Sequence, residues 1–374
     1  MNSRERTLAA LHHTQPDRVP TDLWLSGGME RKVREQWGLD GVALRDAYDI
    51  DLRYIEGPRY IGPPLRRFPD GSDEDLWGVR RRAVTVAVGD GVETYREVAC
   101  SPLAGVDTVE QVLAYDHWPT PDMFDYTPVA AQCRALHSQG RVAVFQGDRL
   151  NRLAQLKPAM YLRGVEQILL DLTLHPEIAR AVLGRIRAFY LAYEERILDA
   201  AQGELDILLT GDDFGSQRGP LLSPRMWVEF LGEGFRQYCA LAKSYGVWTM
   251  HHTCGSVAPI IPLMMERGLD VLQSLQPEAA GMEPRALKAR YGERLSFHGG
   301  ISIQRTLPYG TPDEVQGEVR ERVAALAIGG GYILGTSHNI QADAPLPNLR
   351  ALLEAYRELG SLIESVPSSR KGEQ

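Results

Sequence analysis

LDILLTGDDFGSQRGPLLSPRMWVEFLGEGFRQYCALAKSYGVWTMHHTCG, residues 205–255, decides the fold. Residues 205–213 form a short apolar run that ends in two acids, and 246–254 form a second run that ends in His251, His252 and Cys254. Between them, SPRMWVEFLGEGFRQYCALAKSYG carries helical period, with Ser223 placed to cap its start and Gly246 just past its end. Strand, helix and strand in this order form the crossover unit of a parallel sheet.

The same grammar recurs along the chain. Candidate strands lie at 20–25, 49–55, 141–147, 205–213, 246–254, 269–276, 295–300 and 330–338, and from 141 onward a helical segment separates each from the next. One such segment is TPDEVQGEVRERVAALAIGGG, with Pro312 in its first turn and acids near its N-terminus. Eight strands alternating with helices predict an α/β fold, a (β/α)8 TIM barrel, with a doubly wound open sheet as the rival. The irregular part falls between the second and third strands. There LWGVRRRAVTVAVGDGVETYREVA places a tight turn between alternating runs, a β-hairpin within an insertion at about 58–138. One domain is expected over 1–365, with a polar tail at 366–374.

The 374 residues are 44% apolar and 24% charged, an ordinary globular composition with enough chain for a sizeable core. A net charge of −8 speaks against nucleic acid or an anionic membrane as partner, since both need a basic face. The opening MNSRERTLAALHHTQPDRVP lacks the apolar core of a signal peptide, and no run approaches the ~20 apolar residues of a membrane helix. Cys100, Cys133, Cys239 and Cys254 are scattered without paired spacing, which predicts a cytoplasmic protein with free thiols.

In a barrel, the residues at strand exits share one active face. The candidates there are Asp51, Asp212 and Asp213, His251, His252 and Cys254, Gln276, His298, and Ser337, His338 and Asn339. On an extended strand His252 and Cys254 point to one face and His251 to the other, so the first two make a chelating pair. A catalytic zinc takes three protein ligands and keeps a fourth position open, and His338, or an acid such as Asp212 or Asp213, can supply the third. The pair can equally be two inward-packing residues satisfied by hydrogen bonds. Cys254 as a nucleophile with a histidine base would need an oxyanion site that the sequence does not present. Adjacent strand residues face opposite ways, so one of Asp212 and Asp213 is expected in the site and the other as a helix cap or loop anchor. Gln217 and Arg218, in GDDFGSQRGP, are candidates for contact with a substrate carboxylate.

SRERTLAALHHTQPDRVP, GDDFGSQRGPLLSP, HHTCGSVAPIIPLMMERGLDVL, FHGGISIQRTLPYGTPDEV and GGYILGTSHNIQADAPLPNL, in this order, resemble the uroporphyrinogen decarboxylase superfamily over nearly the whole chain. The resemblance implies a (β/α)8 barrel and one of two activities. True decarboxylases strip acetate carboxyls from a tetrapyrrole, using an arginine-rich N-terminal cluster and an aspartate. Here the corresponding DLWLSGGMERKVREQWG lacks that cluster, with Arg31 and Arg34 as partial substitutes and Asp51 as the candidate aspartate. The other branch consists of zinc-dependent methyltransferases that move a methyl group between a corrinoid and a thiol or methylated substrate. Their His-x-Cys-Gly motif matches His252, Cys254 and Gly255. Their third ligand is a cysteine after the last barrel strand, where this chain has Ser337, His338 and Asn339 and no later cysteine. Either His338 replaces it, an acid joins the shell, or the metal is weak or absent.

The leading expectation is therefore a methyltransferase with zinc on His252, Cys254 and His338. Asp51, Asp212, Asp213 and His298 are the candidate catalytic residues, and Gln217, Gln276 and Asn339 would contact substrate. No corrinoid-binding domain is visible, so the corrinoid would arrive free or on a partner protein. The expected partners are a small-molecule substrate, a corrinoid protein and, as a homodimer, a second copy of the chain. The alternatives are metal-free decarboxylation of a tetrapyrrole or other carboxylate, and a non-catalytic tetrapyrrole-binding protein.

Overall fold

The computed structural model describes residues 1–147 and 152–359; the expected tail and the last residues of the expected domain lie outside them. Strands run in chain order as β1 (Leu52–Tyr54), β2 (Arg59–Tyr60), β3 (Asp73–Glu74), β4 (Arg80–Val88), β5 (Gly91–Cys100), β6 (Phe124–Asp125), β7 (Val142–Phe145), β8 (Ile207–Gly211), β9 (Trp248–His252), β10 (Val271–Leu275), β11 (Ser296–Ile301) and β12 (Tyr332–Thr336). Seven of these form one parallel sheet in the order β1-β7-β8-β9-β10-β11-β12.

Why these runs are strands is visible in how their side chains sort. Val142 and Val144 of β7 fall in one buried cluster with Leu52, Ile207, Leu209, Met250, Val271 and Ile333, whereas Ala143 and Phe145 fall in the other with Leu208, Leu272 and Phe297. A two-residue period thus separates the inside of a curled sheet from its helix-covered outside. Both faces are buried, as a parallel sheet flanked by crossover helices requires.

The expected strand at 20–25 is not a strand. Thr21 and Leu25 make single parallel bridges to Leu334 and Ile340, and the Thr21 carbonyl accepts from both Asp51 N (3.1 Å) and Leu52 N (3.2 Å). The segment therefore lies between β12 and β1 and touches each. Pro20 has no N–H to give, and the shared Thr21 carbonyl leaves no regular ladder to extend. The sheet is a curled, seven-stranded parallel array among the described residues, where eight regular strands were expected.

The helix expected after Ser223 begins there, with the Ser223 hydroxyl accepting from Met226 N at 3.3 Å, but it widens to a π-turn at Val228–Gly232 before resuming as Glu233–Ser244. Gln155 Nε2 donates to the Leu231 carbonyl at 3.1 Å, and a side chain inserted there competes with the helical bond.

β4 and β5 form the expected hairpin, joined by Gly89–Asp90, with Gly89 at φ +56°. The hairpin is tied to the sheet by a buried carboxylate. Glu93 accepts from the Ser26 hydroxyl, from Gly28 N (3.2 Å) and from Ala342 N (2.9 Å), joining β5 to the start of the helix Gly27–Trp37 and to the segment after β12. Glu93→Ala leaves these donors without acceptors, each worth about 1–3 kcal/mol when buried. The expected result is faster proteolytic cleavage within 80–100, by roughly tenfold or more, with global unfolding shifted less, read by limited proteolysis beside thermal denaturation.

Candidate metal centre

His252 is the last residue of β9, Cys254 lies two beyond it, and His338 lies two beyond β12, so the curl of the sheet brings the exits of β9 and β12 together although β10 and β11 lie between them in the ladder. One ligand atom from each lies within 4.8 Å of the others, and Cys254 Sγ is 3.5 Å from His252 Nε2. His252 shares the inward face of Met250, while His251 points to the helices, stacked 5.0 Å from Phe214 with Nδ1 2.8 Å from Thr210 Oγ1.

Both cluster histidines are held the same way. His252 Nδ1–H donates to Gln273 Oε1 at 2.5 Å, and His338 Nδ1–H donates to Asn339 Oδ1. Amide oxygens accept only, so each Nδ1 keeps the proton and each Nε2 offers a lone pair. Gly255 lets the chain turn sharply after Cys254. Its φ is +78°, a Cβ there would lie 2.6 Å from the Ser216 carbonyl oxygen, and its N–H donates to Gln276 Oε1 at 2.6 Å.

The acid pair divides. Asp212, 1% exposed, accepts from the backbone N–H groups of Gln155, Leu156 and Lys157 at 2.6–2.9 Å and so anchors the start of the helix Leu156–Arg163. Asp213 faces the cluster: it accepts from Lys157 Nζ at 2.5 Å, and its Oδ1 is 3.7 Å from His252 Nε2.

Burial sets the charge states. It pushes the Cys254 thiol up to about 12, with Asp213 adding to the effect, and it holds His252 and His338 below the ordinary imidazole value. Burial also pushes Asp212 up to about 6 against its three N–H donors. For Asp213 burial acts in the same sense but loses to the Lys157 ammonium, which holds it well below the usual carboxylate range.

A cleft of about 510 Å³ opens beside the cluster, lined by Trp24, Tyr54, Arg152, Lys157, His252 and His338 among others. Trp24 lies 5.9 Å from His252 and from Tyr54, and the Arg152 guanidinium is 5.7 Å from the Trp24 ring. Asn339 lines the same cleft.

The other candidates are placed elsewhere. His298 sits behind Trp24, 6.3 Å away, with Nε2 2.8 Å from Asp22 Oδ2, which also accepts from the Tyr54 hydroxyl at 2.5 Å. Gln276 anchors Gly255. Gln217 and Arg218 are exposed in the turn beyond β8, where the Gln217 carbonyl accepts from Ala280 N at 3.0 Å. Asp51 precedes β1, at the N-terminal end of the sheet, and pairs with Arg6 (2.7 Å) and Arg18 (2.6 Å). It is thus at the end opposite the cluster, committed to an ion network. Arg31 and Arg34 are exposed on the helix Gly27–Trp37, and Arg31 donates to the Val92 carbonyl.

Gln273, Lys157, Trp24 and Tyr54 were absent from the sequence-based site. Gln273 carried a signal, a polar residue in the middle of the apolar run LDVLQSL. Lys157 carried none, because its role depends on a helix start fixed by Asp212.

Residues 154–359 match the family model described as Uroporphyrinogen decarboxylase (URO-D). The "Methylated-thiol--coenzyme M methyltransferase" of Methanosarcina mazei is 28% identical over 200 residues, which is 54% of this chain and 50% of that protein. The "Uroporphyrinogen decarboxylase" of Psychromonas ingrahamii is 26% identical over 148 residues, 38% of this chain and 39% of that one. The matches thus span half or less of these curated relatives, and the methyltransferase match is the longer. A solved "methyltransferase from Methanosarcina mazei" superposes with a TM-score of 0.65 over 96% of this chain and 99% of its own, and at 18% identity that likeness speaks for the fold. No helix among the described residues is long and apolar enough to cross a membrane.

Proposed function

Because the chain belongs to the uroporphyrinogen decarboxylase family, nearer to its methyltransferase branch than to the decarboxylase itself, we propose that it transfers a methyl group between a corrinoid and a small-molecule substrate at a zinc ion held by His252, Cys254 and His338. The observation that carries the reading is the cluster: two Nε2 lone pairs and one sulfur at strand exits, each imidazole oriented by an amide oxygen behind it. Two nitrogens and a thiolate suit zinc, and three protein ligands leave a position open. Zinc there would supply Lewis acidity, favouring the deprotonated form of a thiol or polarising a leaving group.

The protein's own side chains do the rest. Gln273 and Asn339 fix the imidazoles. The Lys157–Asp213 pair puts a proton donor and an anion beside them, and Trp24 and Tyr54 give the cleft an aromatic wall for an organic substrate or the edge of a corrinoid. In this reading the segment 20–25 serves as the eighth stave of the barrel, carrying Trp24 to the mouth. The corrinoid would come free or on a separate protein. The decarboxylase alternative has less support, since Asp51 is paired with Arg6 and Arg18 at the far end.

The test is direct. Purified full chain should carry close to one zinc and should demethylate methylcobalamin when offered small thiols, followed by the corrinoid absorbance. Undiminished transfer by metal-free protein would overturn the assignment. Gln273→Leu keeps the volume but removes the acceptor behind His252. It is expected to weaken zinc about 10–100-fold in a competition titration, as loss of an outer hydrogen bond does at other zinc sites.

A further inference from the structure

β4 has one edge paired along its length with β5, while its other edge is covered only at Arg80 and Arg81, by β3. From Ala83 to Ala87 that second edge makes no backbone hydrogen bond among the described residues. Ala83, Thr85, Val86 and Ala87 are exposed there. Natural edge strands are usually blunted by charged side chains, proline, a bulge or a covering loop. The stretch Ala83–Ala87 has no charged residue and no proline, and its register against β5 is unbroken.

The sequence of this open edge reads the same in both directions: Ala83, Val84, Thr85, Val86, Ala87. A two-fold axis through Thr85 and perpendicular to the sheet would set two copies of it antiparallel. Thr85 then meets Thr85, Val84 meets Val86 and Ala83 meets Ala87, so every cross-strand pair is like with like. Threonine and valine pairs are favourable neighbours in an antiparallel ladder, and a symmetric dimer needs such a self-complementary patch. An unrelated partner strand would not require the palindrome.

We propose that the chain forms a symmetric homodimer by antiparallel pairing of Ala83–Ala87 of β4 with the same residues of a second copy, joining two hairpins into one continuous sheet. Tyr95 and Glu93 on the paired strand β5 face the cleft region and the barrel anchor, so the joint would sit on the element that walls the candidate site. Five residues of pairing is a small contact beside the roughly 1,200–2,000 Å² of a stable interface, so a dissociation constant of about 10 µM or weaker is expected.

Sedimentation of the full chain across a concentration series tests this without recourse to activity. Thr85→Lys sets two ammonium groups against each other on the axis and should raise the dissociation constant at least about tenfold. Thr85→Glu should do the same alone, and mixing the two variants should restore association, because residue 85 meets only itself. Circular dichroism and melting temperature establish that each variant is folded, and Thr85→Cys in a Cys100→Ser background should give a disulfide-linked dimer under mild oxidation. A wild-type chain that stays monomeric at the highest concentration overturns the proposal. So does a dimer indifferent to Thr85→Lys, or a mixture of the two charged variants that fails to associate.

Discussion

Cys254→Ser is expected to lower zinc affinity at least about 100-fold and to abolish methyl transfer from methylcobalamin, with the fold intact. A lost ligand should cost more than the roughly 10–100-fold that outer hydrogen bonds are worth. The cluster holds two nitrogens and one sulfur, so the serine variant retains two strong ligands and a hydroxyl that is a poor zinc donor. Cys254 is partly exposed and its sulfur meets His252 Nε2 at 3.5 Å, so serine fits without opening a cavity. Zinc per chain after dialysis against a chelator, together with a competition titration, reads the affinity. Gln217→Ala, on the exposed turn away from the cluster, is the matched control and should keep wild-type zinc. A Cys254→Ser protein with wild-type zinc and transfer would remove His252–Cys254–His338 as the metal site.

How much of this was legible beforehand follows from which constraints are local. The alternation of His251, His252, Thr253 and Cys254 on an extended strand is local, and it separates the inward imidazole from the one stacked on Phe214. The division of Asp212 from Asp213 follows from the same alternation, though not which residue takes which role. That depends on the start of a helix about fifty residues earlier in the chain. The segment 20–25 has the composition of a strand, yet its pairing is decided by Pro20 and by competition for the Thr21 carbonyl, both tertiary matters. Asp51 stands at the beginning of its apolar run rather than at its exit, so the run DIDLRYI already placed it at the N-terminal end of the strand. Gln273 and Lys157 reach the cluster across strand and helix neighbours, and no spacing along the chain encodes that.

Asp212→Ala should be the more destabilising of the two acid substitutions, and Asp213→Ala the more damaging to the site for its cost in stability. Asp212 is buried and serves three backbone N–H groups at the start of the helix Leu156–Arg163. Its removal takes away a cap and leaves buried donors unpaired, a loss of about 2–4 kcal/mol. For a domain of this size that lowers the melting temperature by roughly 3–5 °C. Asp212→Asn, which keeps one acceptor oxygen, should fall between the variant and the wild type. The helix start also carries Lys157, so the same substitution releases the ammonium that holds Asp213 at 2.5 Å. Asp213 is one-third exposed, and its ion pair is worth at most about 1 kcal/mol to the fold. Asp213→Ala should therefore melt within about 2 °C of wild type while transfer falls at least tenfold, because the anion beside His252 is gone. Melting curves beside single-turnover transfer separate the two. Equal melting temperatures for Asp212→Ala and wild type would mean that the helix start is held by something other than this carboxylate.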